Sequence, residues 1–152
     1  MRALDQDLEI VAPDLPCHGR SSAPQVDCIA GYFTDAIEQF LDRLDLRRVL
    51  LVGESIGASI ARALGARENP RLSRQWKTWI AARAIYSAAE LPITLVYGDH
   101  DWSQPEDREA NGRVQRIAQT LAVENCGHFA CLDQPQQIAR VIRDEIARMW
   151  RE

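Results

Sequence analysis

The chain has 152 residues, a formal net charge of −4, 46% hydrophobic residues and 26% charged residues. This balance is typical of a folded globular domain and excludes a disordered chain, and the length allows one domain, 1–152, but not two. The mild negative charge provides no basic surface for nucleic acid. The longest apolar run, 49–52, is far shorter than the ~20 residues of a membrane span, and no signal-peptide pattern follows the charged start. We therefore expect a cytoplasmic protein with neither a nucleic-acid nor a membrane partner.

The predicted elements alternate between strands and helices. Short apolar runs bounded by glycine or proline predict strands at 8–12, 48–52, 93–97 and 120–124. Helical spacing of apolar residues predicts helices at 31–44, 56–66, 76–84, 113–119 and 138–149, whereas the polar stretch 103–111 is predicted to be a loop. Alternation of this kind predicts an α/β fold, with a mostly parallel sheet flanked by helices.

A GxSxG motif, Gly53-Glu54-Ser55-Ile56-Gly57, lies between the second strand and the helix that follows it. Glycines on either side allow a sharp turn, which exposes the serine hydroxyl and strains its backbone. The N–H of Ile56 would stand at the positive end of the helix and could stabilise an oxyanion. The alternative is an ordinary glycine turn with a capping serine.

With this motif and three others, the chain resembles the α/β-hydrolase superfamily. Residues 12–21, Ala-Pro-Asp-Leu-Pro-Cys-His-Gly-Arg-Ser, are similar to its D-x-P-G-H-G-x-S loop, with Cys17 where glycine is usual. Residues 91–101 are similar to the strand and G-x-x-D turn that carry the catalytic acid, and 125–129 to the G-H-F turn that carries the histidine. The resemblance implies a nucleophile at Ser55, an acid at Asp101 and a base at His128, in the order of this superfamily.

Alternatives remain open for several of these residues. Asp99 competes with Asp101 for the acid role, and His128 could instead be a structural histidine in a glycine turn. His18 is interpreted as bracing its loop and His100 as a solvated turn residue. The cysteines, Cys17, Cys28, Cys126 and Cys131, are predicted to be free thiols, because they are too few for a disulfide framework. Cys126, His128 and Cys131 lack the CxxC or HxxxH partners of a zinc site, so we expect no metal and no cofactor.

Compared with the usual elements of the α/β-hydrolase superfamily, the sequence is expected to lack two segments. It starts after the family's third strand, so the loop that completes the oxyanion hole is expected to be absent. After the Ser55 helix, one strand and most of the cap are also expected to be missing, with 70–90 as a cap remnant. Trp76 and Trp79 in that remnant are candidate substrate-binding residues, beside basic residues that would suit a carboxylate-bearing substrate. The alternative is a solvated helix face with its tryptophans in the core.

These gaps would leave two inner strands without neighbours. Unpaired buried N–H and C=O groups cost about 1–3 kcal/mol each, so the strands must pair again among themselves or with another chain. Pairing with a second copy predicts a homo-oligomer, and the alternatives are a compact four-stranded monomer or a chain that folds poorly.

The predicted activity is hydrolysis of a small-molecule acyl substrate, by default an ester, through Ser55, His128 and Asp101. A serine nucleophile argues against dehalogenase and epoxide-hydrolase chemistry, which proceeds through an alkyl ester of a carboxylate. C–C bond hydrolases and aminopeptidases of the same superfamily remain possible. A catalytically silent interaction module is the alternative outside enzymes, because the oxyanion loop is expected to be lost.

Overall fold

The computed structural model describes residues 4, 8–27, 29–46, 49–65, 93–114 and 118–149. In chain order, these residues form α1 (Ala30–Arg43), α2 (Ile56–Gly65), β1 (Ile93–Gly98), α3 (Pro105–Val114), β2 (Ala118–Val123), α4 (Ala130–Asp133) and α5 (Pro135–Met149). Helices thus alternate with strands in the second half of the chain, as the sequence predicts.

The sheet of the described residues consists of β1 and β2, which pair in parallel. The register runs from Ile93 opposite Ala118 to Gly98 opposite Val123. A parallel pair needs a crossover connection, and α3 provides it and packs against β2. Both strands therefore end at the same edge, where open α/β sheets carry their functional residues.

A small apolar core lies where α5 covers the strands. Val123, Cys126 and Ile138 are buried, and Val96 and Ile142 pack against them. Polar side chains tie the same helix to both strands, because Thr94 Oγ1 donates to Glu145 Oε1 at 2.8 Å and Arg148 Nη1 donates to Gln119 Oε1 at 2.7 Å. Packing and hydrogen bonds together fix α5 against the sheet.

A second core forms where α1 packs against α2. Its buried side chains are Phe33, Ile60 and Ala63, at positions that the helical spacing places on the facing surfaces. Thr34, a polar residue of α1, is also buried, and its hydroxyl donates to the carbonyl of Ala30 at 2.7 Å, so its burial leaves no donor unsatisfied.

The two strands predicted at 8–12 and 48–52 do not form within the described residues. Residues 8–12 and 49–54 belong to no strand, and Val11 and Val52 are 44% and 57% exposed. An apolar run supplies the side chains of a buried strand, but its hydrogen bonds depend on neighbours elsewhere in the chain. The prediction of a strand at 48–52 is therefore wrong for the described residues 49–52.

The polar stretch predicted to be a loop is instead the helix α3. Pro105 stands in its first turn, where a missing N–H costs nothing, and Glu106 and Asp107 complement the positive helix end. The helix has no apolar stripe, which explains why periodicity did not reveal it. The helix predicted at 113–119 is also wrong in part, because residues 118 and 119 begin β2.

The predicted cap remnant, 70–90, with Trp76 and Trp79, lies outside the described residues. None of the helices in the described part of the chain has the length and apolarity to cross a membrane.

Candidate active site

Ser55 occupies a strained turn directly before α2. Its φ is +54°, in the left-handed region that residues other than glycine rarely adopt, and the residue is exposed. The turn is so tight that a Cβ at Gly53 would overlap the backbone carbonyl of Gly57. The geometry agrees with the sequence expectation that this motif presents a serine at the tip of a sharp turn.

The first backbone donors of α2 surround the same turn. The N–H groups of Gly57 and Ala58 donate to the carbonyls of Glu54 and Ser55, at 2.8 and 3.1 Å. The N–H of Ile56 makes no hydrogen bond to any described residue. It is therefore available, at the positive end of the helix, to an acceptor beside Ser55.

Asp101 and His128 meet at the carboxyl edge of the sheet. Asp101 follows β1 and His128 follows β2, and Asp101 Oδ2 lies 3.0 Å from His128 Nδ1. The Asp101 side chain is only 8% exposed, and its other oxygen accepts the N–H of Ser103 at 2.7 Å. Burial raises the pKa of Asp101, but the hydrogen bonds from Ser103 and His128 outweigh it, so the pKa lies below its usual value. An ionised carboxylate can only accept, so Nδ1 of His128 is the donor.

Arg108, on α3, holds the turn that carries Asp101. Its Nη2 donates to the carbonyls of Asp101 and Ser103 at 2.8 and 2.9 Å, and its Nε donates to Ser103 Oγ at 3.0 Å. The guanidinium also lies 5.3 Å from the ring centre of Tyr97. A planar group with several donors is suited to this task, because it can bind two carbonyls at once.

Asp99 holds the loop that carries His128, residues 124–129, which we call the histidine loop. Its two carboxylate oxygens accept the N–H groups of Asn125 at 3.0 Å and Cys126 at 2.9 Å. These backbone hydrogen bonds lower the pKa of Asp99, that from Cys126 most. Asp99 thus braces the histidine loop, whereas Asp101 contacts the imidazole itself, which favours Asp101 over Asp99 for the acid role.

Further contacts hold the histidine loop from its other side. The N–H of Gly127 donates to Asp133 Oδ2 at 2.8 Å, and Gln134 Nε2 donates to the carbonyl of Asn125 at 3.0 Å. The end of β1 approaches the loop so closely that a Cβ at Gly98 would overlap the carbonyls of Cys126 and Gly127. The side chains of Asp99, Asp133 and Gln134 all bind backbone groups of the histidine loop, so the loop is held at several points.

Two exposed aromatic rings flank the imidazole of His128. The ring centre of Trp102 lies 5.0 Å from that of His128, and the ring centre of Phe129 lies 5.2 Å from it on a near-perpendicular plane. Trp102 is 73% exposed and Phe129 is 55% exposed. Neither ring is among the site residues that the sequence predicts, although each directly follows one of the predicted catalytic residues.

The Ser55 turn lies near the histidine loop, because Glu54 is among the carboxylates that add to the effect of burial in raising the pKa of Cys126 in that loop. No hydrogen bond joins Ser55 to His128 among the described residues. The neighbour of Ser55, Glu54, lies beside Cys131: desolvation raises the pKa of that thiol, and the Glu54 carboxylate adds to the effect. The structure therefore brings Asp101 and His128 into direct contact and places the serine turn near their loop.

His18, His100 and Cys126 lie outside the proposed set of catalytic residues. His18 Nδ1 lies 2.9 Å from the carbonyl of Pro16, which agrees with a bracing role, and His100 is 73% exposed beside Asp99. Burial raises the pKa of the Cys126 thiol, which disfavours the thiolate that binds metals. Among the residues that the structure describes, no three histidine, cysteine or acidic side chains cluster as metal ligands would.

A cleft of about 280 Å³ lies apart from these residues, between the 13–21 loop and α1. Its lining includes Asp14, whose carboxylate accepts the N–H of Arg20 at 3.0 Å, and does not include Ser55, Asp101 or His128. The candidate site is therefore defined by its side chains and not by this cleft.

Parallel strands with functional side chains at their carboxyl edge are typical of α/β enzymes, and comparison with known proteins identifies the family. Residues 1–93 match the alpha/beta hydrolase family. The chain belongs to that family.

Individual relatives agree with this assignment. A haloalkane dehalogenase of Mesorhizobium japonicum is 39% identical over 62 residues, which are 41% of this chain and 20% of that protein. The solved structure of E-2-(acetamidomethylene)succinate hydrolase has a TM-score of 0.75 at 14% identity, with 88% of this chain and 80% of that one covered. A meta-cleavage product hydrolase from Pseudomonas fluorescens has a TM-score of 0.72 at 16% identity, with 97% and 82% covered.

The two structural likenesses, at such low identity, show the fold alone. The chain spans between 17% and 20% of the length of the curated relatives it matches.

Proposed function

We propose that this chain carries the catalytic residues of a serine hydrolase that cleaves a small ester, with Ser55 as nucleophile, His128 as base and Asp101 as acid. The observation that carries the proposal is the contact between Asp101 and His128, at 3.0 Å across the ends of two adjacent parallel strands. A strained, exposed serine turn beside the same loop supports it. The substrate is a small molecule, and the chemistry requires no metal or cofactor.

Each residue has a distinct role in this mechanism. Asp101 accepts a hydrogen bond from the Nδ1–H of His128, so the proton stays on Nδ1 and the lone pair of Nε2 is free to take the proton of Ser55. The Ser55 oxygen then bonds to the carbonyl carbon, and the π electrons of the carbonyl move to its oxygen, where the N–H of Ile56 can donate. Collapse of this intermediate expels the alcohol, which takes the proton from His128. Water repeats the sequence and releases the acid.

The identity of the nucleophile separates this proposal from the activity of the dehalogenase relative. Displacement of halide needs a carboxylate that forms an alkyl ester with the enzyme, and the residue at the turn of this chain is a serine. A hydroxyl activated by histidine is suited to acyl transfer instead. We therefore favour ester hydrolysis within the family.

Labelling by a fluorophosphonate probe tests the proposal directly. The probe should modify the protein at Ser55, and the S55A variant should remain unlabelled and lose hydrolysis of p-nitrophenyl acetate. H128Q should prevent labelling as well, since Ser55 would lack its base. Labelling at another residue, or turnover that persists in S55A, would contradict the proposal and favour a catalytically silent interaction module.

A further inference from the structure

The rings of Trp102 and Phe129 lie beside the imidazole of His128 and are not part of the proposed catalytic triad. Both are large apolar side chains that are more than half exposed, at 73% and 55%, and both contact the ring of His128, whose side chain is only 23% exposed. Large aromatic rings gain most by burial, so exposed rings that converge on one reactive group indicate a surface that a ligand covers. We infer that Trp102 and Phe129 form the walls of a subsite for an apolar, aromatic leaving group, an inference that rests on the proposed function.

The chemistry of acyl transfer decides which part of the substrate these rings would contact. In the acylation step, the bond from Ser55 Oγ to the carbonyl carbon forms and the bond from that carbon to the alcohol oxygen breaks. The electron pair leaves with the alcohol oxygen, which takes its proton from His128. The alcohol must therefore lie against His128 at that moment. Rings whose centres are 5.0 and 5.2 Å from the imidazole then border the alcohol and not the distal part of the acyl group.

The charges around the two rings favour an uncharged partner. The Asp101 carboxylate is occupied by Ser103 and His128, and Arg108 directs its guanidinium to the carbonyls of the same turn. The charged groups of Asp101 and Arg108 are therefore already hydrogen-bonded within the protein and do not bind a polar leaving group. The surface presented to the alcohol is thus aromatic, and it suits a benzyl-like or phenyl-like group that stacks or packs edge to face.

Two acetate esters provide the test, benzyl acetate and 2-methoxyethyl acetate. Their alcohols have comparable acidity, and both form the same acetyl-enzyme, so deacylation is identical and any difference in kcat/KM reports on the leaving group. We expect the wild type to prefer benzyl acetate. The W102A variant should lower the ratio of the two kcat/KM values about 10-fold, as expected for loss of an aromatic contact. F129A should lower the same ratio, and W102F should retain most of it.

Leu44→Ala is the matched control, since Leu44 is an exposed apolar residue, at 51%, at the end of α1 and outside the set that surrounds His128. It should leave the ratio unchanged. A ratio that stays constant in both W102A and F129A, with hydrolysis retained, would overturn the subsite and leave the proposed function intact. Failure of the wild type to hydrolyse either ester or to react at Ser55 would overturn the proposed function, and the subsite with it.

Discussion

Asp99 and Asp101 stand two residues apart in one turn, and each holds a different part of the histidine loop. Asp99 accepts two backbone N–H groups, whereas Asp101 accepts the imidazole N–H at 3.0 Å. The hydrogen bonds of Asp99 to the backbone fix the position of the loop. In the proposed mechanism, the Asp101 carboxylate at Nδ1 leaves Nε2 of His128 as the base. Substitution of Asp101 should therefore lower the activity, whereas substitution of Asp99 should mainly lower the stability.

Asp101→Asn should leave the fold intact and lower kcat by up to about 10⁴-fold, because an amide can hold His128 in the wrong tautomer. KM should change little. Asp99→Asn retains one acceptor oxygen for two N–H groups, so its main effect should be a lower melting temperature. Steady-state kinetics and thermal melts of both variants check this, and a larger loss of kcat in Asp99→Asn than in Asp101→Asn would transfer the acid role to Asp99.

Arg108 is a positioning residue, since it contacts the turn of Asp101 and not the imidazole. Arg108→Met should displace Asp101 and lower kcat roughly 10- to 100-fold with KM nearly unchanged. Arg108→Lys keeps the charge but cannot bind two carbonyls in one plane, so it should recover only part of the activity. The proton resonance of His128 Nδ1–H provides a second measurement, and its loss in Arg108→Met is expected. An unaltered resonance together with an unaltered kcat would show that the hydrogen bonds of Arg108 to the Asp101 turn have no influence on the site.

Cys17 adopts a φ of +66° at a position where a glycine would be unstrained. A left-handed conformation costs a residue with a Cβ about 1–2 kcal/mol, and the greater freedom of glycine in the unfolded chain offsets part of the gain. Cys17→Gly should therefore stabilise the protein by about 0.5–1 kcal/mol. Urea denaturation measures the difference. Gly19→Ala is the opposing control: Gly19 has a φ of +53° and its Cβ would overlap the Asp14 carboxylate, so this change should destabilise.

At the scale of elements, the contact between the end of β1 and the histidine loop makes stability depend on pH. Asp99 and Asp101 both have pKa values below their usual range in the folded protein. Folding therefore favours their ionised forms, so this stabilisation is complete above the unfolded pKa of about 3.9 and is lost as the pH falls through the lower folded values. The urea midpoint should decrease from pH 6 to pH 3 in the wild type. The double variant Asp99→Asn and Asp101→Asn should start lower and decrease less, and an equally steep decrease would contradict this assignment.

At the scale of the whole molecule, the segments 8–12 and 49–52 are the reason to expect that the chain self-associates. They are apolar in sequence, they form no strand within the described residues, and Val11 and Val52 are substantially exposed. Unpaired apolar segments recruit other strands, and a second copy of the chain offers the same segments.

We expect this chain to self-associate, and its melting temperature to rise with protein concentration. Sedimentation across a wide dilution range measures the association. Val52→Lys should weaken the association by placing a charge on the exposed segment, whereas Leu44→Lys, at a similarly exposed site directly after α1, should not. A monomer that melts cooperatively at every concentration would rule the association out.

The sequence by itself determined the features that depend on local pattern. The strands β1 and β2 and the helices α1, α2 and α5 follow from apolar spacing and from glycine and proline at their ends, and their parallel pairing follows from the alternation of strands and helices. The Ser55 turn was also predictable, since the glycines of its motif allow only a tight connection. The α/β-hydrolase fold could be inferred from these elements and motifs before any contact was known.

Only the tertiary structure decided the features that depend on neighbours distant in the chain. It showed that Asp101 contacts the imidazole of His128, whereas Asp99, in the same turn, contacts the backbone of the histidine loop. It placed Trp102 against His128, which is 26 residues away, and it left 8–12 and 49–52 outside the described sheet. Strand pairing and side-chain contact are set by non-local packing, and periodicity along one segment carries no information about its partner.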